Sequence, residues 1–166
     1  DHEPLQTNPH TPTNQVSQFR GVAPHFMRPF GVMQSNIDQS GRSELHYVAV
    51  DVPKENQEKE VNRLLDEGCD PNAQDKMGWT ALHFAAQEWS LPVARVLLAR
   101  GAKIDLKDSF GNTPLARAVM SSKGRGELIT LFLENGAGRD VENNHGHSPL
   151  SMAETIANYD IKQFFK

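Results

Sequence analysis

From Asp38 onward, apolar positions fall in two kinds of short cluster that alternate along the chain. One kind follows a glycine and a hydroxyl residue: Gly41-Arg42-Ser43-Glu44-Leu45-His46, Gly78-Trp79-Thr80-Ala81-Leu82-His83, Gly111-Asn112-Thr113-Pro114-Leu115-Ala116 and Gly146-His147-Ser148-Pro149-Leu150-Ser151. The other is an apolar pair that precedes a glycine by three residues: Leu64-Leu65-Asp66-Glu67-Gly68-Cys69, Leu97-Leu98-Ala99-Arg100-Gly101-Ala102 and Phe132-Leu133-Glu134-Asn135-Gly136-Ala137. The first-cluster glycines are 37, 33 and 35 residues apart, and the second apolar residue of a pair always precedes the next such glycine by 13 positions. A period in this range belongs to stacked repeats, in which a unit buries its apolar face only against its neighbours.

The residue types predict the elements of each unit. Ser43, Thr80, Thr113 and Ser148 stand where a hydroxyl satisfies the free amides of a helix start, and in the last two cases proline follows, preset for the first helical position. Gly68, Gly101 and Gly136 stand where a left-handed residue closes a second helix. Two antiparallel helices per unit result. Asp75-Lys76-Met77-Gly78 and Asp108-Ser109-Phe110-Gly111 read as turns in a hairpin-like connection to the next unit. The length differences are expected between paired helices, as four extra residues around Asp51 to Asn56 and two around Ser121 to Gly126.

Residues 1–37 differ in composition. They hold five of the ten prolines and no lysine, and show neither helix nor strand period. A disordered or extended N-terminal segment is expected, with the more apolar stretch Phe19 to Met33 able to dock as an arm. Met27 and Met33 are candidate translation starts within it.

The units resemble ankyrin repeats, whose signature includes Thr-Pro-Leu-His-x-Ala in the first helix. The resemblance implies an all-α ankyrin-repeat solenoid of about four helix-turn-helix units with hairpin-like connections, over residues 38–166. The units fall at about 38–74, 75–107, 108–142 and 143–166. Departures are Glu44 in the place of proline, Val48 for the first alanine, Ala116 and Ser151 in the place of histidine, and a fourth unit without its Gly-Ala end. Lys162 and Gln163 in that short unit suit a capping repeat whose outer face meets water.

The resemblance also implies a non-catalytic module that binds a protein partner on its hairpin tips and inner helices. Carried over residue by residue, the variable positions are Gln39, Ser40, Arg42, Val50 and Asp51, then Lys76, Met77, Trp79, Gln87 and Glu88. The third unit supplies Ser109, Phe110, Asn112 and Met120, and the fourth Asn144, His145, His147 and Thr155. Met77, Trp79 and Phe110 on neighbouring tips are expected anchors, while Trp89, in the usual place of a loop glycine, is expected to plug the loop beside the same face. Two narrower roles are an immunity protein masking a secreted bacterial toxin and a scaffold assembling through the N-terminal arm.

Composition narrows the classes further. With 17 basic and 21 acidic residues and a formal net charge of −4, the chain offers no broad basic face for nucleic acid. No apolar run approaches the roughly 20 residues of a membrane-spanning helix, so a soluble protein is expected; a monomer is expected too, and the single cysteine suits a reduced, cytoplasmic setting. A single cysteine, Cys69, makes no internal disulfide, and it takes the place of a small packed alanine. His46 and His83 sit at a structural place in the repeat. His145 and His147 are spaced to approach one ion, but two ligands make a weak site, and no metal or cofactor is expected. No phosphate-cradling glycine loop and no nucleophile elbow is present.

Overall fold

The computed structural model describes residues 37–166. It places seven α-helices in the order α1 (Glu44–Asp51), α2 (Lys54–Asp66), α3 (Ala81–Gln87), α4 (Leu91–Ala99), α5 (Pro114–Ser121), α6 (Glu127–Glu134) and α7 (Pro149–Thr155), then a closing 3-10 helix, Ile161–Phe165. No strand occurs among the described residues. The stretch Phe19 to Met33, with both candidate starts, lies outside them.

The chain stacks in two layers because each unit repeats the same pair of helices. Helices α1, α3, α5 and α7 pack in one row; α2, α4, α6 and the 3-10 helix form the second. The repeated leucines meet between the rows: Leu45, Leu64, Leu82, Leu97, Leu115 and Leu128 are buried, joined by Ile129, Phe132 and Ile161. Each such side chain contributes about 1.5–3 kcal/mol by leaving water. The core therefore runs continuously from one unit to the next.

Helix ends follow the sequence signals. Thr80, Thr113 and Ser148 accept the amides of His83, Ala116 and Ser151, and Ser90 does the same for Val93 at the start of α4. Gly68, Gly101 and Gly136 carry φ of 92°, 84° and 86°, and behind each the next amide returns to the helix, as Cys69 does to the Leu64 carbonyl at 3.0 Å.

The extra length is used differently in the two units. In the third it lengthens the loop between α5 and α6. In the first it adds a turn to α2, which has 13 residues against nine in α4, because Lys54 to Gln57 continue the helix. That turn is tied into the core: buried Gln57 accepts from Ser90 Oγ at 2.6 Å and donates to the Val52 carbonyl at 2.9 Å. The Gly124-Arg125-Gly126 triplet lies between α5 and α6, and Gly126 is small for a reason. A Cβ there would stand 2.1 Å from the Phe164 ring, which rests on the loop and helps close the stack.

Candidate partner-binding surface

One carboxylate or amide organises each turn. Asp75 Oδ1 accepts the amides of Met77 and Trp79 at 2.9 and 2.8 Å, and Asp108 Oδ1 accepts those of Phe110 and Asn112, both at 2.9 Å. Asp38 and Asn143 treat Ser40 and Arg42, and His145 and His147, in the same way. Successive turns are then laced together by backbone bonds: Lys76 donates to Ser40, Ser109 to Met77 and Asn144 to Phe110, at 2.9, 2.9 and 3.0 Å. Ser40, Met77, Phe110 and His145 thus occupy one equivalent row of tips.

Two apolar members of that row face outward. Met77 is 44% and Phe110 47% exposed, while Val50 and Met120, at equivalent places late in α1 and α5, are 48% and 47% exposed. Gln39, Ser40, Asp51, Lys76, Gln87, Glu88, Ser109, Asn144, His145, His147 and Thr155 are also exposed. Arg42 and Trp79 are half-buried.

Asn112, an expected contact residue, and Trp89, the expected loop plug, are not on the open surface. Asn112 is buried because its groups are spent inside: its amide goes to Asp108, its Oδ1 accepts from Asn143 at 2.9 Å and its carbonyl accepts from His83 Nε2 at 3.0 Å. Trp89 is also buried, at φ 54°, with the Arg125 guanidinium carbon 4.4 Å from its ring centroid. A tryptophan in glycine's place fills the loop instead of presenting a ring to solvent.

The face also contains residues that sequence reasoning passed over. Tyr47, Phe84 and Arg117 hold equivalent places in α1, α3 and α5, beside the tips. The Arg42 guanidinium carbon stands 5.0 Å from the Phe84 ring centroid and 5.8 Å from that of Tyr47. Phe84 meets Trp79 at 5.0 Å between centroids, and Arg117 covers Trp79 at 4.4 Å. The arginines also reach the turn carboxylates: Arg42 Nε donates to Asp75 Oδ2 at 2.9 Å and Arg117 Nη2 to Asp108 Oδ2 at 2.8 Å. The bond to Asp75 pushes the Arg42 guanidinium further up from its already high range. The available signal was positional, an arginine in one unit facing an aromatic residue in a neighbouring one.

His46 and His83 are inside the stack. The amides of Ser43 and Thr80 donate to their Nδ1 atoms at 3.0 and 3.1 Å, which leaves the proton on Nε2. Nε2 of His46 donates to the carbonyls of Ala73 and Trp79. Burial lowers both pKa values from the usual 6.5. Among the described residues no group of three or more His, Cys, Asp or Glu side chains gathers as metal ligands do, and no helix is long and apolar enough to cross a membrane.

A family model described as ankyrin repeats (3 copies) matches residues 45–145, more than half of the chain. The chain belongs to the ankyrin-repeat family. Protein PhlB of Serratia liquefaciens is 40% identical to it over 97 residues, 58% of this chain and 42% of that protein. The mitochondrial disaggregase of Bos taurus is 44% identical over 140 residues, covering 63% of this chain and 20% of the relative. Human neurogenic locus notch homolog protein 2 is 29% identical over 130 residues, 77% of this chain and 5% of the relative. The chain thus spans less than half the length of each of these relatives. What is shared is the repeat, and ankyrin repeats are in general protein-interaction modules with a fold that is typically non-catalytic.

Proposed function

We propose that this ankyrin-repeat stack binds a protein partner across its tip and inner-helix face, without chemistry of its own, and that Met77 and Phe110 are the anchors. The observation that carries this reading is the exposure of two large apolar side chains at equivalent places on adjacent tips, 44% and 47%, beside exposed Val50 and Met120. Exposed apolar residues scattered singly need no explanation, whereas a set aligned on one face of a rigid scaffold fits an interaction site. Around it lie hydrogen-bonding groups suited to a polar rim: Lys76, Gln87, Glu88, Ser109, His145 and His147. Trp79 contributes from below as a half-buried part of the floor, and Arg42 beside it.

Polar side chains stand near both ends of the described stack, together with exposed Ile37 and Tyr159. Lys54, Glu55 and Glu58 are exposed on α2, and Glu154 pairs with Lys162 at 2.9 Å near the C-terminal end. The toxin-masking role rests on family analogy, and the net charge of −4 suits a basic partner without naming one.

Site-specific photocrosslinking in the native source tests the reading. A photoreactive residue replacing Phe110 should capture a discrete partner, and the same group replacing Glu58 on the outer helix α2 should not. Equal capture from both positions, or capture from position 58 alone, would move the site off this face.

A further inference from the structure

Two arginines hold the turns that carry the exposed anchors, and they do so from opposite sides of a repeated pair of positions. One position follows the turn glycine, and the other lies in the first helix of the next unit. Arg42 and Phe84 form one such pair, with the cation first; Trp79 and Arg117 form the next, with the cation second. The guanidinium carbon stands 5.0 Å from the ring centroid in one pair and 4.4 Å in the other. Despite the reversal, each arginine reaches the turn aspartate of the later unit, Asp75 at 2.9 Å or Asp108 at 2.8 Å.

Those aspartates are the turn organisers, and their side chains are 1% and 0% exposed. A carboxylate so buried is tolerated only when paired and fully hydrogen-bonded. One oxygen takes the amides of Met77 and Trp79, or of Phe110 and Asn112; the other takes the arginine. The ring covering each guanidinium holds it in place by cation–π contact. Arg117 Nε has no hydrogen-bond acceptor, so its orientation rests on Asp108 and the Trp79 ring.

We infer that Arg42 and Arg117 are positioning residues of the binding surface: each, stacked on an aromatic ring, locks the aspartate that fixes Met77 or Phe110 in its outward conformation. The inference rests on the reading of these tips as the docking site. A turn held this way before binding loses little freedom on binding, which is how preorganisation raises affinity.

Amide hydrogen exchange, followed by NMR on the 166-residue chain, tests the clamp without a partner. Arg117→Met should speed exchange of the Phe110 and Asn112 amides about tenfold or more, with the Val96 and Leu97 amides in α4 unaffected. The reversal supplies a rescue. Arg117→Trp should loosen the turn alone, and adding Trp79→Arg should restore protection to within about twofold, because the introduced cation then stands toward Asp108 as Arg42 stands toward Asp75. Unchanged exchange in Arg117→Met, or a combined variant that keeps α4 protected but fails to restore the turn, overturns the inference. Should Arg117→Met unfold the stack, Arg42→Met reads the same question at the Met77 and Trp79 amides, and unchanged exchange there overturns it equally. A clamp that behaves as expected, in a protein whose partner capture ignores Met77→Ser and Phe110→Ser, would be a structural device only and would overturn the role in binding.

Discussion

The imidazole of His83 donates its Nε2 proton to the carbonyl of Asn112 at 3.0 Å, joining the first helix of the second unit to the turn of the third. Its other nitrogen accepts the Thr80 amide at 3.1 Å, so the ring is needed neutral. His46 does the same one unit earlier.

Stability should therefore depend on pH. Both folded-state pKa values lie below the unfolded 6.5, so the unfolded chain takes up protons first as pH falls. This contribution is complete above about pH 6.5, declines below it, and is lost as pH passes through the lowered folded values. Melting curves should show a lower Tm at about pH 5 than at about pH 8, and His83→Gln should reduce that difference. A Tm that rises on acidification would contradict the neutral tautomer.

Leu82 and Leu97 have no exposure and lie in the row-to-row core. Replacing either with alanine should cost about 2–5 kcal/mol, measured by urea or thermal unfolding, because the rigid helices around it cannot close the cavity. An unchanged unfolding midpoint would place the core elsewhere.

Much of this architecture was legible because each unit repeats its own local signals. Thr80, Thr113 and Ser148 cap helices as their spacing implies, and Gly68, Gly101 and Gly136 end them. The proposed binding face was legible only in part. Met77 and Phe110 were marked by being large and apolar at tip positions, but nothing local says that Asn112 turns its groups inward, since its partners Asn143 and His83 lie in other units. Tyr47, Phe84 and Arg117 escaped notice for the same reason: their meaning is a contact across units. The four extra residues of the first unit were expected between the paired helices, but Lys54 to Gln57 extend α2 instead, and what holds them there, the buried bond from Ser90 to Gln57, is a contact with the next unit.

Trp89 poses a contest between backbone strain and packing. A non-glycine residue at φ 54° costs about 1–3 kcal/mol, whereas deleting a buried tryptophan ring costs about 3–5 kcal/mol. Packing is the larger effect, so Trp89→Gly should destabilise the protein by about 2 kcal/mol in equilibrium unfolding. A stabilised variant would show that the ring contributes little beneath Arg125.

We expect the exposed tips, and not the core beneath them, to carry partner binding. The direct measurement compares the Met77→Ser, Phe110→Ser double variant with the parent in two assays on the same samples, Tm and Kd for the crosslinked partner. Because each truncated anchor typically costs about 2 kcal/mol of binding, affinity should fall by about tenfold or more, while side chains that are 44% and 47% exposed leave Tm nearly unchanged. A large fall in Tm with Kd intact would instead assign these side chains to packing between turns.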